Sequence, residues 1–110
     1  MNKMQINDIN AVISYDPGIN MFRGEFVRLN GYADFYAADV EGLKKEGALS
    51  LKVFLEACEA DKVNPYKHYS GKLITRINPD LHALAAETAK AEGVSLNALI
   101  ERAIQHEIAA

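Results

Sequence analysis

The spacing of hydrophobic and polar positions changes twice along the chain, and each change predicts a change of element. Between Ala11 and Val40 apolar and polar residues alternate in short runs. Ala11-Val12-Ile13-Ser14-Tyr15 stops at Asp16-Pro17-Gly18, and Phe22 to Leu29 stops at Asn30-Gly31. Alternation puts every second side chain on one face, and the stops supply turn dihedrals, so this segment predicts strands joined by turns. Asn-Gly favours a two-residue hairpin because both positions tolerate positive φ. Tyr32 to Val40 is therefore expected to fold back on Phe22 to Leu29, completing a three-stranded antiparallel meander.

From Gly42 to Asp61 the period lengthens. Leu51, Phe54, Leu55 and Cys58 stand at i, i+3, i+4 and i+7, with Leu43 two turns earlier, which predicts one helix covering one face of the sheet. Gly42 and Gly47 are expected to weaken its start by roughly 1 kcal/mol each relative to alanine. Val63 to Gly71 has no period and carries Pro65 and Gly71, the composition of a linker.

Alternation returns over Lys72 to Ile77, with Leu73, Thr75 and Ile77 on one face of a strand and Lys72, Ile74 and Arg76 on the other. Asn78 then suits an N-cap, Pro79 the first helical position and Asp80 the positive end of the helix dipole. Leu81, Leu84, Ala85, Thr88 and Ala89 form the inner stripe of this helix, and Gly93 ends it. Ser95 caps a second helix with an inner stripe of Leu96, Leu99, Ile100, Ala103, Ile104 and Ile108.

One strand and two helices are too little to enclose a core, so this part is expected to share one with a second copy. Two strands would pair antiparallel into a ribbon with the helices beneath. That would bury Leu73, Thr75 and Ile77 with Leu99, Ile100, Ala103 and Ile104. Such a ribbon fits the DNA major groove with alternate side chains facing base edges. Arg76 would then bond guanine, Lys72 guanine or a phosphate, and Ile74 a thymine methyl. Ser95, Leu96 and Asn97 open the second helix, whose N–H groups would hold a DNA phosphate. The plainer alternative is an edge strand kept soluble by Lys72 and Arg76, with Ser95 a cap in either case. The two helices that follow favour the reading face.

Charge limits that reading. The 110 residues carry 12 Lys+Arg against 15 Asp+Glu, a formal charge of −3, so general attraction to nucleic acid is weak. In the last third, however, Lys72 and Arg76 lie in the strand, while Asp80, Glu87, Glu92, Glu101 and Glu107 all lie in the helices. The lone Cys58 excludes an intrachain disulfide, and no zinc signature accompanies it; no metal or other cofactor is expected. No run approaches the roughly 20 apolar residues of a membrane span, and a cytoplasmic location is expected.

Asp16, Glu25, Asp34 and Asp39 are the acids a metal-dependent nuclease would need to bring together, but they scatter over turns and strand ends. No catalytic residue is expected among them. His68, His82 and His106 are too far apart to suggest a site. Tyr66 and Tyr69 beside Lys67 are expected to pack across a domain boundary in preference to stacking on nucleic acid.

Tyr69-Ser70-Gly71-Lys72-Leu73-Ile74-Thr75-Arg76-Ile77, then Leu81-His82, then Glu92-Gly93-Val94-Ser95-Leu96-Asn97-Ala98-Leu99-Ile100, resembles the C-terminal ribbon-helix-helix of HicB-type antitoxins. The preceding meander and helix are similar to the partial RNase-H-like domain of that family. The resemblance implies an α+β chain: a small antiparallel sheet with one covering helix over 1–62, a linker over 63–71, and a dimeric ribbon-helix-helix for DNA binding and dimerisation over 72–110. It also implies a non-enzymatic homodimer or higher homo-oligomer, whose first domain occludes a HicA-like mRNA-cleaving toxin and whose ribbon binds the operator of the pair's own genes. Thr75 stands where the family usually has a larger apolar residue, and Ile74 where a polar reader is common. The rivals are a stand-alone ribbon-helix-helix regulator and a weak metal-dependent nuclease.

Overall fold

The first element of the fold is a strand outside the predicted meander. In the computed structural model, which describes residues 2–109, β1 (Asn2–Ile6) and β2 (Ile9–Asp16) form a hairpin closed by Asn7 and Asp8, both at positive φ (49° and 69°). Two residues at positive φ are what a tight hairpin with the right strand twist requires, and Asn and Asp tolerate that region better than other non-glycine residues. β3 (Met21–Phe26) and β4 (Phe35–Ala37) complete a four-stranded antiparallel sheet in the order β1-β2-β3-β4, in place of the three strands expected. The β2–β3 turn runs from Pro17 to Asn20, with Asp16 accepting a hydrogen bond from the Gly18 N–H at 2.9 Å.

The expected fold-back occurs, with Phe35–Ala37 antiparallel to Phe22–Gly24, but residues 27–34 make the connection and Asn30-Gly31 is not a two-residue turn. The chain leaves β3 after Phe26, and the connection pairs with the segment read as a linker. Leu29 bridges Tyr66, the Asn30 N–H donates to the Pro65 carbonyl at 2.7 Å, and the Lys67 N–H donates to the Arg28 carbonyl at 2.9 Å. These long-range backbone bonds bring residues 65–67 into the first of two units, Met1–Ser70, the second being Gly71–Ala110. Gly31 serves a packing need, since a Cβ there would lie 2.8 Å from the Phe54 ring.

α1 (Val40–Asp61) begins earlier than its periodicity suggests, because the Asp39 carboxylate caps it by accepting from the Gly42 N–H at 2.6 Å. Its buried stripe is Leu43, Gly47 and Leu51, and Phe54, Leu55 and Cys58 are half-buried. The two glycines expected only to weaken the helix allow it to approach the sheet. A Cβ on Gly42 would meet the Ala37 Cβ at 2.9 Å, and one on Gly47 would meet the Phe35 ring at 3.0 Å. On the other side of that ring Gly24 of β3 leaves space that a Cβ would invade, at 2.1 Å from Phe35 Cζ. Phe35 thus occupies a slot between a strand glycine and a helix glycine, at the centre of a core formed with Ile6, Ala11, Phe26, Leu29 and Leu43.

The second unit contains α2 (Pro79–Glu92) and α3 (Leu96–Ala109), packed on one another. Its termini follow the sequence signals. Asn78 accepts from the Asp80 N–H at 2.8 Å, Gly93 takes the left-handed conformation at φ 72°, and Ser95 Oγ accepts from the Ala98 N–H at 3.0 Å. The expected inner stripe of α2 is only partly inside. Ala89 is buried and Ala85 half-buried, whereas Leu81 and Leu84 are more than half exposed. Residues 72–78 are neither helix nor strand in the single chain. A two-stranded ribbon needs a second strand, and one copy does not provide it.

Candidate nucleic-acid interface

All the residues expected to read DNA or to dimerise lie in the second unit. Lys72, Ile74, Thr75 and Arg76 are exposed on the stretch that leads into α2. Ile74 is 98% exposed, Leu73 76% and Ile77 46%. Ser95, Leu96 and Asn97 stand at the mouth of α3, where Ser95 Oγ takes the Ala98 N–H and the Ser95 carbonyl takes the Leu99 N–H at 3.1 Å. Leu99 and Ile100 are half-buried against α2, while Ala103 and Ile104 are exposed further along the helix. The helix pair is tied at its turn by Arg102, whose guanidinium meets the Glu92 carboxylate at 2.8 Å. That pair is exposed, so its contribution is under about 1 kcal/mol.

The unit therefore has well-capped helices and almost no core. Among the described residues of the second unit, Ala89 alone is buried. Leu73, Ile77, Leu81, Leu84, Ile104 and Ile108 leave large apolar surfaces in water. Scaled by the fraction still exposed, each would contribute roughly 0.5–2 kcal/mol if fully covered.

The carboxylates considered for catalysis have local structural partners. Asp16 closes its own turn, Asp39 caps α1, and Asp34 and Glu25 both face Arg23. Arg23 Nε donates to Asp34 at 3.1 Å and a second guanidinium nitrogen bonds the same oxygen, while Glu25 lies 3.6 Å away. Hydrogen bonding to Asp34, reinforced by its charge, raises the pKa of Arg23 further above its ordinary value. Among the described residues no three His, Cys, Asp or Glu side chains converge closely enough to hold a metal ion together.

Sequence reasoning did not anticipate that Arg28, Tyr66, Lys67 and Tyr69 come together on the first unit, where they line one groove with Lys3. Arg28 and Lys67 are distant in sequence, and only the pairing of residues 28–30 with 65–67 makes them neighbours.

An antiparallel sheet with one covering helix, followed by two capped helices without a core of their own, defines an α+β chain of two units. A model of the HicB family matches residues 54–104, from the last turns of α1 through most of α3, so this part of the chain is similar to that family. Comparison with curated proteins and with solved structures gives no match. No helix among the described residues is long and apolar enough to cross a membrane.

Proposed function

We propose that this protein is the antitoxin of a HicAB-like pair: a dimer that binds operator DNA through a ribbon-helix-helix and a HicA-like mRNA-cleaving toxin through its first unit. The observation that carries the reading is the uncovered apolar surface of the second unit. Leu73 and Ile77 on the extended lead, with Leu81, Leu84 and Ile104 on the helices, form the apolar side of a structure that lacks its other half. A second copy related by a two-fold axis would supply an antiparallel strand for residues 72–77 and cover these side chains. The paired strands would then present Lys72, Ile74 and Arg76 from both copies on the opposite side. The α3 N-termini at Ser95, Leu96 and Asn97 would contact phosphates. The HicB match supports the toxin partner, and the self-contained core of the first unit supports a separate binding role for it.

The test is twofold. The full chain, co-expressed with the small reading frame beside its gene, is expected to co-purify with that product and protect cells from it. The purified chain is expected to bind its own promoter duplex more tightly than scrambled duplex at physiological salt. Promoter binding without any toxin complex would select the stand-alone regulator instead.

A further inference from the structure

The face of the sheet turned away from α1 carries a groove of about 740 Å³ lined by Lys3, Val12, Arg28, Tyr66, Lys67 and Tyr69, among others. Ala11 is in the core beneath the helix, so its neighbour Val12 and the cross-strand partner Lys3 face the other way. Among the described residues no carboxylate lines the groove, and Lys3, Arg28 and Lys67 make no ion pair. On a chain with a formal charge of −3 this is a local concentration of positive charge. Arg23 lies on the same face, but Asp34 and Glu25 occupy it. The tyrosines are open as well: Tyr69 is 64% exposed, Tyr66 is about half exposed, and neither ring stacks on another aromatic side chain. The groove is also preformed. The bonds from Asn30 to Pro65 and from Lys67 to Arg28 hold its two walls together, and Asn64 Oδ1 accepts from the Tyr66 N–H at 3.0 Å.

From this arrangement we infer that the groove binds single-stranded nucleic acid, with phosphates on Lys3, Arg28 and Lys67 and bases stacked on Tyr66 and Tyr69. Charge alone would suit an acidic polypeptide equally well. The two open rings interleaved with cations decide between them, because nucleic acid offers an anionic backbone and planar faces together. This is a second nucleic-acid surface, built on the first unit and suited to single strands, whereas Lys72, Ile74 and Arg76 of the second unit are proposed to read duplex.

The experiment titrates the full-length chain into fluorescently labelled oligouridylate of about a dozen nucleotides and follows anisotropy at several salt concentrations. Saturable binding is expected, weakened about tenfold by Tyr69→Ala and preserved by Tyr69→Phe, which keeps the stacking face. Lys67→Gln and Arg28→Gln are each expected to reduce the dependence of log affinity on log salt by about 0.7. Arg76→Ala is expected to leave this binding unchanged. No saturable binding, equal affinity of wild type and Tyr69→Ala, or loss on Arg76→Ala would overturn the assignment. Displacement of the RNA by polyglutamate as readily as by unlabelled oligouridylate would overturn it too, and would point to an acidic polypeptide as the occupant.

Discussion

Truncating Leu73 to alanine should weaken the dimer, and truncating its neighbour Ile74 should not. Leu73 is 76% exposed in the single chain, so about three-quarters of its surface is left for a partner to cover. Full burial of a leucine side chain is worth roughly 1.5–3 kcal/mol, which leaves about 1–2 kcal/mol per copy for dimerisation. A two-fold axis counts every substitution twice. Allowing for the methyl that alanine retains, Leu73→Ala should cost the dimer roughly 2 kcal/mol, or about thirtyfold in its dissociation constant. Ile74 is 98% exposed and lies on the other side of the extended chain, so Ile74→Ala should change that constant by about twofold or less. Sedimentation equilibrium over a dilution series measures both constants. A larger loss for Ile74→Ala than for Leu73→Ala would mean that the faces are reversed. Because strand side chains alternate, the whole division into reading and dimerising residues would then be wrong.

Arg76→Ala should weaken specific promoter binding by roughly 1–3 kcal/mol without affecting thermal unfolding, as measured by anisotropy and circular dichroism; unchanged binding would exclude it as a base contact. Gly24→Ala should destabilise the first unit by roughly 2 kcal/mol or more, since the new Cβ would lie 2.1 Å from Phe35 Cζ and α1 packs close to that ring at Gly47, where an added Cβ would already lie 3.0 Å from it. Reduced hydrogen-exchange protection of the β2–β3 amides would register this change. A fragment of residues 1–70 should be more stable in urea titration than one of residues 1–62, with an unfolding free energy higher by on the order of 2 kcal/mol. Only the longer fragment keeps the backbone bonds of Asn30 and Lys67 with their partners.

Local signals that act through neighbouring residues were legible in the sequence. Asn78, Gly93 and Ser95 end or begin helices as their chemistry requires, and the stripe from Leu43 to Cys58 belongs to a helix on the sheet. What escaped was decided by contacts between distant residues. Asn30-Gly31 is a strong signal for a two-residue turn, but Leu29 and Asn30 pair with Pro65 and Tyr66, far along the chain, and β3 returns to β4 through a longer connection instead. The glycines at 24, 42 and 47 read as weak points because propensity concerns one helix or strand alone, whereas here they set the distance between layers. β1 was missed although its signal was present: Asn7-Asp8 lies between Ile6 and Ile9, which face each other across the hairpin. At the candidate interface, residue identities along 72–77 suggested two faces, but these residues form no strand in the single chain, and the proposed pairing would require a second copy.

The most direct test of the proposed dimer is the mass of the full chain in solution at micromolar concentration, with circular dichroism recorded on the same sample. Each copy is 12.1 kDa. A helical species of twice that mass is the expected result, because the apolar surface of Leu73, Ile77, Leu81 and Leu84 needs a second copy to cover it. A monomer that keeps its full helix content at that concentration would contradict the ribbon and the operator reading built on it.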